Sequence, residues 1–235
     1  MSDAPANKKR LFEFLSLSLL LGLGTAIAAL IFFGWLADEV LENDTRQFDE
    51  VTRAAIHQLA SPTLTIVMRG FSIVGGTIAL TIGTIIVIVR FAMKKWGHEA
   101  KLFAITMAGA ALLNITLKLT FKRARPEPFF NLSLPETYSF PSGHSLTSAV
   151  FFGALAAILT ARIKSKRVRI AIWIVSTLMF LTIGFSRIYL GVHHTTDVIA
   201  GFAAALIWIL VVRFVEMQLR RRKQRKQKLS TDYAD

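Results

Sequence analysis

The chain has 235 residues, of which 53% are hydrophobic, and its 28 Lys and Arg against 15 Asp and Glu give a formal net charge of +13. The apolar residues form six long blocks, which leaves no room for a separate soluble domain and indicates a single membrane domain over residues 1–235. The absence of cysteine excludes disulfides, a thiolate nucleophile and a cysteine-ligated metal site.

The basic residues lie mostly at the ends of the apolar blocks and in the segment that follows the last block. This pattern is typical of contact with anionic lipid headgroups, and it argues against a nucleic-acid partner. We therefore interpret residues 216–235 as a basic cytoplasmic tail.

Each apolar block predicts a membrane-spanning helix, because about 20 mostly apolar residues are needed to cross about 30 Å of hydrocarbon. The fold class is thus all-α, an integral membrane bundle of six transmembrane helices with a catalytic core at about 101–215. We place the spans at 13–36, 66–89, 101–121, 143–163, 168–189 and 195–215.

The acidic segment between the first two spans carries apolar residues at helical spacing. It predicts a short amphipathic helix that rests on the outer membrane surface. The apolar positions are Phe48, Val51, Ala55 and Leu59. Inside the second span, Gly75 and Gly76 are small enough to allow close helix packing.

The distribution of Lys and Arg predicts the orientation. Positive residues flank the N-terminus, the second and fourth connections and the C-terminus, and the positive-inside rule makes these four regions cytoplasmic. The connections 37–65, 122–142 and 190–194 then face outside. The loop 122–142 is basic although it is external, which requires another explanation.

The last four spans have charge-free stretches that are shorter than a full crossing. Each helix must take in a polar residue at its outer end, namely Lys118, His144, Arg187 and Asp197. Ionisable groups at this depth face the bundle interior or a wet cavity. Because alternating helix direction places all four ends on one side, we expect a single outer pocket.

This pocket collects Lys118, Arg125 and Arg187 with three histidines and one carboxylate. Such a set favours an anion, and a phosphoryl group in particular, because phosphoryl transfer requires neutralisation of charge on the equatorial oxygens. Arginine offers bidentate geometry to phosphate and lysine a point charge.

The histidines of the pocket suit nucleophilic and acid–base chemistry. His193 and Asp197 are one helical turn apart, so the carboxylate can fix the imidazole tautomer and leave the other nitrogen free to attack phosphorus. His144 is placed to protonate the leaving alkoxide. Ser142 and Gly143, just before it, can point backbone N–H groups at an anion at the start of a helix.

A metal-dependent mechanism is the main competitor. Magnesium phosphatases gather several carboxylates, whereas this pocket offers Asp197, with Glu127 and Glu136 placed loosely on the loop. Zinc on His144 and the adjacent histidines His193 and His194 is possible by count, but neighbours on a helix point in different directions. We predict no metal and no other cofactor.

These residues also form a three-part pattern that resembles the signature of the type 2 phosphatidic acid phosphatase superfamily. Its parts are Lys118-(six residues)-Arg125-Pro126, Pro141-Ser142-Gly143-His144, and Ser186-Arg187-(five)-His193-(three)-Asp197. The likeness extends over roughly residues 60–215 and matches the six spans. Many relatives have an aromatic residue and then proline where this chain has His194-Thr195-Thr196, which puts fine substrate contacts in question.

The resemblance implies a phosphohistidine intermediate on His193, oriented by Asp197, with His144 as the acid and no metal. It implies that the phosphate is held by Lys118, Arg125, Arg187, Ser142 and Gly143. We interpret His194 as a residue that either supports the catalytic residues from behind or lies at the rim of the site. His57 and His98 fall outside the motifs and are interpreted as ordinary surface residues.

The predicted activity is metal-independent hydrolysis of a lipid phosphate or pyrophosphate at the outer face of a bacterial cytoplasmic membrane. Candidate substrates are phosphatidic acid, phosphatidylglycerol phosphate and undecaprenyl pyrophosphate, with the bilayer as the other partner and no obligate protein partner. Two alternatives remain open: phosphotransfer to an acceptor lipid, and an anion or lipid transporter. A transporter more often has its charged groups near the midplane and a repeated half.

Overall fold

The computed structural model describes residues 4–133 and 136–232, and within them it contains eight α-helices and no strand. The helices are joined by short turns, apart from one long loop between α5 and α6. They are α1 Ala4–Leu41, α2 Arg46–His57, α3 Pro62–Val74, α4 Thr77–Met93, α5 Gly97–Phe121, α6 Gly143–Thr160, α7 Lys166–Tyr189 and α8 Thr195–Asp232.

The described residues contain six candidate membrane spans when α3 and α4 are counted as one broken span. Five helices are long and apolar enough to cross alone, and the pair α3–α4 passes the same test together. The five single spans are Leu21–Leu41, Gly97–Phe121, Gly143–Thr160, Lys166–Tyr189 and Thr195–Arg222. The predicted all-helical bundle of six spans with a short additional helix is therefore confirmed.

The second span differs from the continuous helix predicted at 66–89. It is bent by 53° at Gly75 and Gly76, where α3 ends and α4 begins. A Cβ atom on Gly75 would also collide with the side chain of Ile183 on α7. The glycine pair therefore allows close packing, as predicted, but it also breaks the helix, which uniform hydropathy along the block did not reveal.

The last helix is longer than predicted at its C-terminal end. α8 continues without a break from the apolar span into the basic segment and ends at Asp232. The predicted tail 216–235 is thus an extension of this helix as far as it is described, and residues 233–235 lie outside the described residues.

Helix α6 lies at the centre of the bundle. It packs against α5, α7 and α8. Of the residues in its most apolar 18-residue stretch, 61% are buried, compared with 17% for the corresponding stretches of α5 and α7. Small residues make this possible, because Ala149, Gly153 and Ala156 let the neighbouring helices approach closely. The N-terminus of α6 is therefore surrounded by the ends of the neighbouring helices.

Helix α2 is the predicted amphipathic helix, and it packs on α7 and α8. Phe48 and Val51 leave 49% and 61% of their surface exposed, so this face is available to the membrane surface. The opposite face points inward, and Asp49 on it is completely buried. The helix therefore covers the end of the bundle rather than lying beside it.

The two ends of the bundle carry different ion pairs. At the end opposite α2, Arg162 pairs with Glu99, and His98 lies 3.0 Å from Glu216. At the α2 end, Arg123 pairs with two buried carboxylates. The alternating helix direction inferred from sequence is consistent with this separation of the ends.

Candidate active site

The long loop between α5 and α6 folds over the C-terminal end of α5 and binds two of the predicted cations, Lys118 and Arg125, through its carbonyl and hydroxyl groups. Lys122 ends α5 in a left-handed conformation with φ 48°. The Lys118 ammonium donates to the carbonyl oxygen of Tyr138. The Arg125 Nε donates to the Thr137 carbonyl at 2.8 Å, and its Nη2 donates to the Thr137 hydroxyl at 2.9 Å. The basic loop is therefore turned inward.

The N-terminus of α6 contains the predicted backbone donors. Ser142 is the N-cap residue, and its hydroxyl accepts from the backbone N–H of Ser145. Its own N–H donates to the Asp197 carbonyl at 2.9 Å, so this donor is already used inside the protein. The next N–H groups, starting with Gly143, have no partner within the helix and remain the candidates for binding an anion.

Arg187 and His144 meet the broken span. The Arg187 guanidinium is 8% exposed and donates through Nη1 to the hydroxyl of Ser72, at the end of α3. The imidazole of His144 lies close to the same break, because a Cβ atom added to Gly76 would lie 3.8 Å from its Nε2. Among the described residues, the buried Nε of Arg187 has no hydrogen-bond partner. A buried donor without a partner indicates a place for a bound acceptor.

His193 and Asp197 form a buried pair, although only Asp197 lies on α8. α8 begins at Thr195, so His193 belongs to the preceding turn. Its Nδ1 still lies 3.3 Å from Asp197 Oδ2, because the carboxylate reaches back and also accepts from the His194 N–H at 2.9 Å. A carboxylate at the third helical position is favoured there by the N-terminal N–H groups.

Ser139 completes the surroundings of this pair, and sequence reasoning missed it. Its hydroxyl donates to Asp197 Oδ2 and lies 3.3 Å from His193 Nδ1. Both Ser139 and Asp197 are fully buried. The carboxylate therefore holds Nδ1 as the protonated nitrogen of the ring.

The other nitrogen of the His193 ring faces the cations. Nε2 lies 3.2 Å from Nη1 of Arg125. Burial lowers the pKa of His193 to about 3, although the hydrogen bond with Asp197 opposes that shift. The ring is consequently neutral at physiological pH, and the lone pair on Nε2 accepts from Nη1 of Arg125.

Three cations lie near one another at this end of the bundle, and one of them, Arg125, contacts this nitrogen. Lys118, Arg125 and Arg187 lie close enough to repel one another. Repulsion among partly buried like charges is costly, and an anion placed between them relieves it. A cleft of about 570 Å³ opens beside Lys118 and Arg125, and Ile115 and Leu119 form an apolar wall of it.

Arg123 and Asp49 also belong to this end of the bundle, and sequence reasoning assigned neither of them. Arg123 donates to Asp197 Oδ1 at 2.7 Å and to Asp49 Oδ2 at 2.8 Å. The helical spacing of α2 contained a weak signal, because Asp49 lies off the apolar face. The pairing itself joins residues 74 positions apart and had no sequence signal.

Other residues named from sequence lie at the edge of the site or outside it. His194 has its Nδ1 4.0 Å from Asp49, and Glu136 lines the open cleft. His57 is not an ordinary surface residue, because its ring stacks on Phe129 with centroids 3.9 Å apart. Across residues 4–133 and 136–232, no group of three or more His, Asp or Glu side chains has an arrangement that would hold a metal ion.

Comparisons with known proteins show which family the chain resembles. A family model of the PAP2 superfamily matches residues 99–220. Phosphatidylglycerophosphatase B of Bacillus subtilis is 30% identical over 205 residues, which cover 85% of this chain and 98% of that protein. Lipid A 1-phosphatase of Rhizobium johnstonii is 33% identical over 130 residues, which cover 52% of this chain and 48% of that protein.

A solved structure has the same fold. The crystal structure of a transmembrane PAP2-type phosphatidylglycerolphosphate phosphatase from Bacillus subtilis superposes with a TM-score of 0.77 at 27% sequence identity. The superposition covers 83% of this chain and 96% of that one.

Proposed function

This chain belongs to the PAP2 superfamily of membrane lipid phosphatases, the type 2 phosphatidic acid phosphatases, and we propose that it hydrolyses a lipid phosphate or pyrophosphate through a phosphohistidine on His193. The observation that carries the proposal is that the two nitrogens of the His193 ring have different partners. One nitrogen is held by the buried Asp197, and the other faces Arg125 at 3.2 Å among three cations.

In the first step, Nε2 of His193 attacks phosphorus and the bond to the lipid oxygen breaks. Lys118, Arg125 and Arg187 neutralise the charge on the phosphoryl oxygens, together with first-turn N–H groups of α6. His144 gives a proton to the departing lipid alkoxide. The positive charge that develops on the phosphorylated imidazole is stabilised by Asp197, which remains ionised.

In the second step, water attacks the phosphohistidine and the nitrogen–phosphorus bond breaks. His144, which has lost its proton in the first step, takes one from the attacking water, so the two steps together return each residue to its starting state. Inorganic phosphate leaves, and His193 is regenerated with its lone pair on Nε2.

The cleft beside Lys118 and Arg125 supports a lipid as the substrate. Its apolar wall, Ile115 and Leu119, belongs to the membrane-spanning helix α5, so an acyl or prenyl chain can remain in hydrocarbon while its phosphate reaches the cations. Relatives named for phosphatidylglycerophosphate and lipid A have this family's fold or sequence. For this chain, phosphatidic acid, phosphatidylglycerol phosphate and undecaprenyl pyrophosphate are the substrates to test.

Phosphate release by the detergent-purified protein from a panel of these lipids tests the proposal. We expect release by the native protein and by His98→Asn, whose side chain lies at the far end of the bundle, and none above background by His193→Asn. Transfer of label to an acceptor lipid without free phosphate would replace hydrolysis by phosphotransfer. Turnover that His193→Asn leaves unchanged would contradict the proposal.

The orientation also belongs to the proposal. The end that carries Lys94, Lys95 and the basic extension of α8 is assigned to the cytoplasm, which places the site and α2 outside. The chain has no cysteine, so single cysteines can be introduced directly at the exposed Ala124 and Lys95. A membrane-impermeant maleimide applied to intact spheroplasts is expected to label Ala124→Cys and not Lys95→Cys. The reverse pattern would invert the orientation.

A further inference from the structure

Asp49 on α2 is a buried carboxylate whose acceptor positions are filled by three groups. Its Oδ1 accepts from the Thr196 N–H at 2.9 Å. Its Oδ2 accepts from the Thr196 hydroxyl at 2.7 Å and from Nη2 of Arg123 at 2.8 Å. Asp49 is 0% exposed, and a charge at this depth is retained only with such partners. The amphipathic helix is thus joined to the start of α8, beside Asp197.

Arg123 connects Asp49 to Asp197. Its Nη1 donates to Asp197 Oδ1 at 2.7 Å and to the Thr196 hydroxyl at 2.8 Å, while Nη2 is directed at Asp49. A planar guanidinium has its donors in a fixed fork, so it can hold two carboxylates in one geometry, which a lysine ammonium cannot do. The cation at position 123 is therefore committed to two protein anions.

The contacts of Asp197 divide cleanly between its two oxygens. Oδ2 contacts His193, the His194 N–H and Ser139, whereas Oδ1 is held by Arg123. Loss of the Arg123 bond would leave Oδ1 buried without its partner and allow the carboxylate plane to rotate. Without Asp49, the Arg123 guanidinium would pair with Asp197 alone. The stronger ion pair would weaken the hydrogen bond that the Asp197 carboxylate accepts from the His193 imidazole.

We propose that Arg123 and Asp49 are a positioning pair for the reaction: they set the plane and the charge of Asp197, and through it the His193 ring, without touching the phosphate. This inference rests on the proposed function, since it assigns His193 as the nucleophile. It distinguishes Arg123, which contacts Asp197 and Asp49, from Lys118, Arg125 and Arg187, which are proposed to hold the phosphate.

A buried ion pair can also be purely structural, so the test needs a readout that stability alone does not change. We would measure kcat, KM and competitive inhibition by orthovanadate, a phosphate mimic, for Asp49→Asn, Arg123→Lys and Arg123→Gln. The expected result is a 10- to 100-fold lower kcat with KM and vanadate inhibition within about threefold of the native values. The matched control is Arg46→Gln on the same helix, which removes an exposed ion pair with Glu50 and is expected to leave all three constants unchanged.

The double variant Asp49→Asn with Arg123→Gln distinguishes a positioning role from a purely structural one. It also provides a protein to measure if the single variants do not fold. Removing both charges avoids an uncompensated buried ion, so we expect thermal stability to recover in part while kcat stays low. Recovery of kcat together with stability would show a structural role and overturn the inference. Loss of vanadate inhibition in a folded single variant would also overturn it, because Arg123 would then bind the phosphate.

The two proposals fail in different ways. Native protein that releases no phosphate from any lipid of the panel removes the proposed function and this inference together. Native activity with an unchanged kcat in Asp49→Asn removes the positioning pair alone.

Discussion

Nη1 of Arg125 lies 3.2 Å from Nε2 of His193 and also donates to the carbonyl oxygen of Val192 at 3.0 Å. The guanidinium, which also lines the cleft, is thus anchored beside the proposed nucleophilic nitrogen. A phosphoryl group bound to Arg125 would meet the lone pair of His193 without movement of the backbone, and the following predictions depend on this geometry.

Replacement of Arg187 by lysine should lower kcat/KM by about 10- to 100-fold. Lysine keeps the charge, but it loses the planar fork and the bond that Nη1 makes with the Ser72 hydroxyl. Steady-state kinetics with the preferred lipid phosphate measure this effect. A lysine variant with near-native kcat/KM would show that Arg187 does not bind the phosphoryl oxygens in a bidentate manner.

Chelation should leave activity intact. The proposed steps use His193, His144 and three cationic side chains, so none of them depends on a divalent ion. Phosphate release after extensive treatment with EDTA, compared with the same protein supplied with Mg²⁺ or Zn²⁺, measures this directly. Inactivation that added metal reverses would require a metal-dependent mechanism.

Acidification should destabilise the native protein more than the variant His193→Asn. The unfolded chain binds a proton at His193 below about pH 6.5, whereas burial keeps the folded residue neutral down to about pH 3. Stability is therefore lost as pH falls through this window. Between pH 7.5 and 5, the free energy of unfolding of the native protein should fall by about 2 kcal/mol more than that of His193→Asn. Each unit of pKa difference corresponds to about 1.4 kcal/mol. Thermal unfolding in one detergent at both pH values tests the difference, and equal losses would show that His193 is not buried in its neutral form.

The close contact of Gly201 on α8 with the start of α6 should not tolerate an added methyl group. A Cβ atom on Gly201 would lie 2.7 Å from the Ser142 carbonyl oxygen and 2.9 Å from Ser145 Cβ. Gly201→Ala should therefore cost about 1–3 kcal/mol in stability and lower kcat. Gly70→Ala is the matched control, because nothing lies within 4 Å of its added Cβ. Equal stability and equal kcat of the two variants would contradict the close approach of α8 to the start of α6.

The convergence of the site could be predicted because it follows from topology. Polar residues at the ends of short apolar blocks must lie at the membrane boundary, and alternating helix direction brings Lys118, His144, Arg187 and Asp197 to one end. This reasoning used only the position of a residue within its block. It did not need the side-chain geometry.

Individual side-chain contacts could not be predicted, because the sequence does not show which face of a helix points into the bundle. Asp49 looked like one more residue of an acidic surface segment, and only the packing of α2 against the bundle shows that its side chain is buried. Gly75 and Gly76 had two possible meanings, since small residues serve both packing and helix breaks. Ser139 and Ser72 lie in segments without a periodic pattern, so nothing in the sequence marked their contacts with Asp197 and Arg187.

Trapping of the covalent intermediate tests the central claim most directly. A lipid phosphate labelled in its terminal phosphoryl group is mixed with the purified protein, and the reaction is stopped with alkali within milliseconds to seconds. We predict protein-bound label that survives alkali and is released by mild acid, as expected for a phosphoramidate, and that maps to the peptide containing His193 and is absent from His193→Asn. Phosphate release by the native protein with no trapped label under any quench time, or label on another residue, would contradict the mechanism.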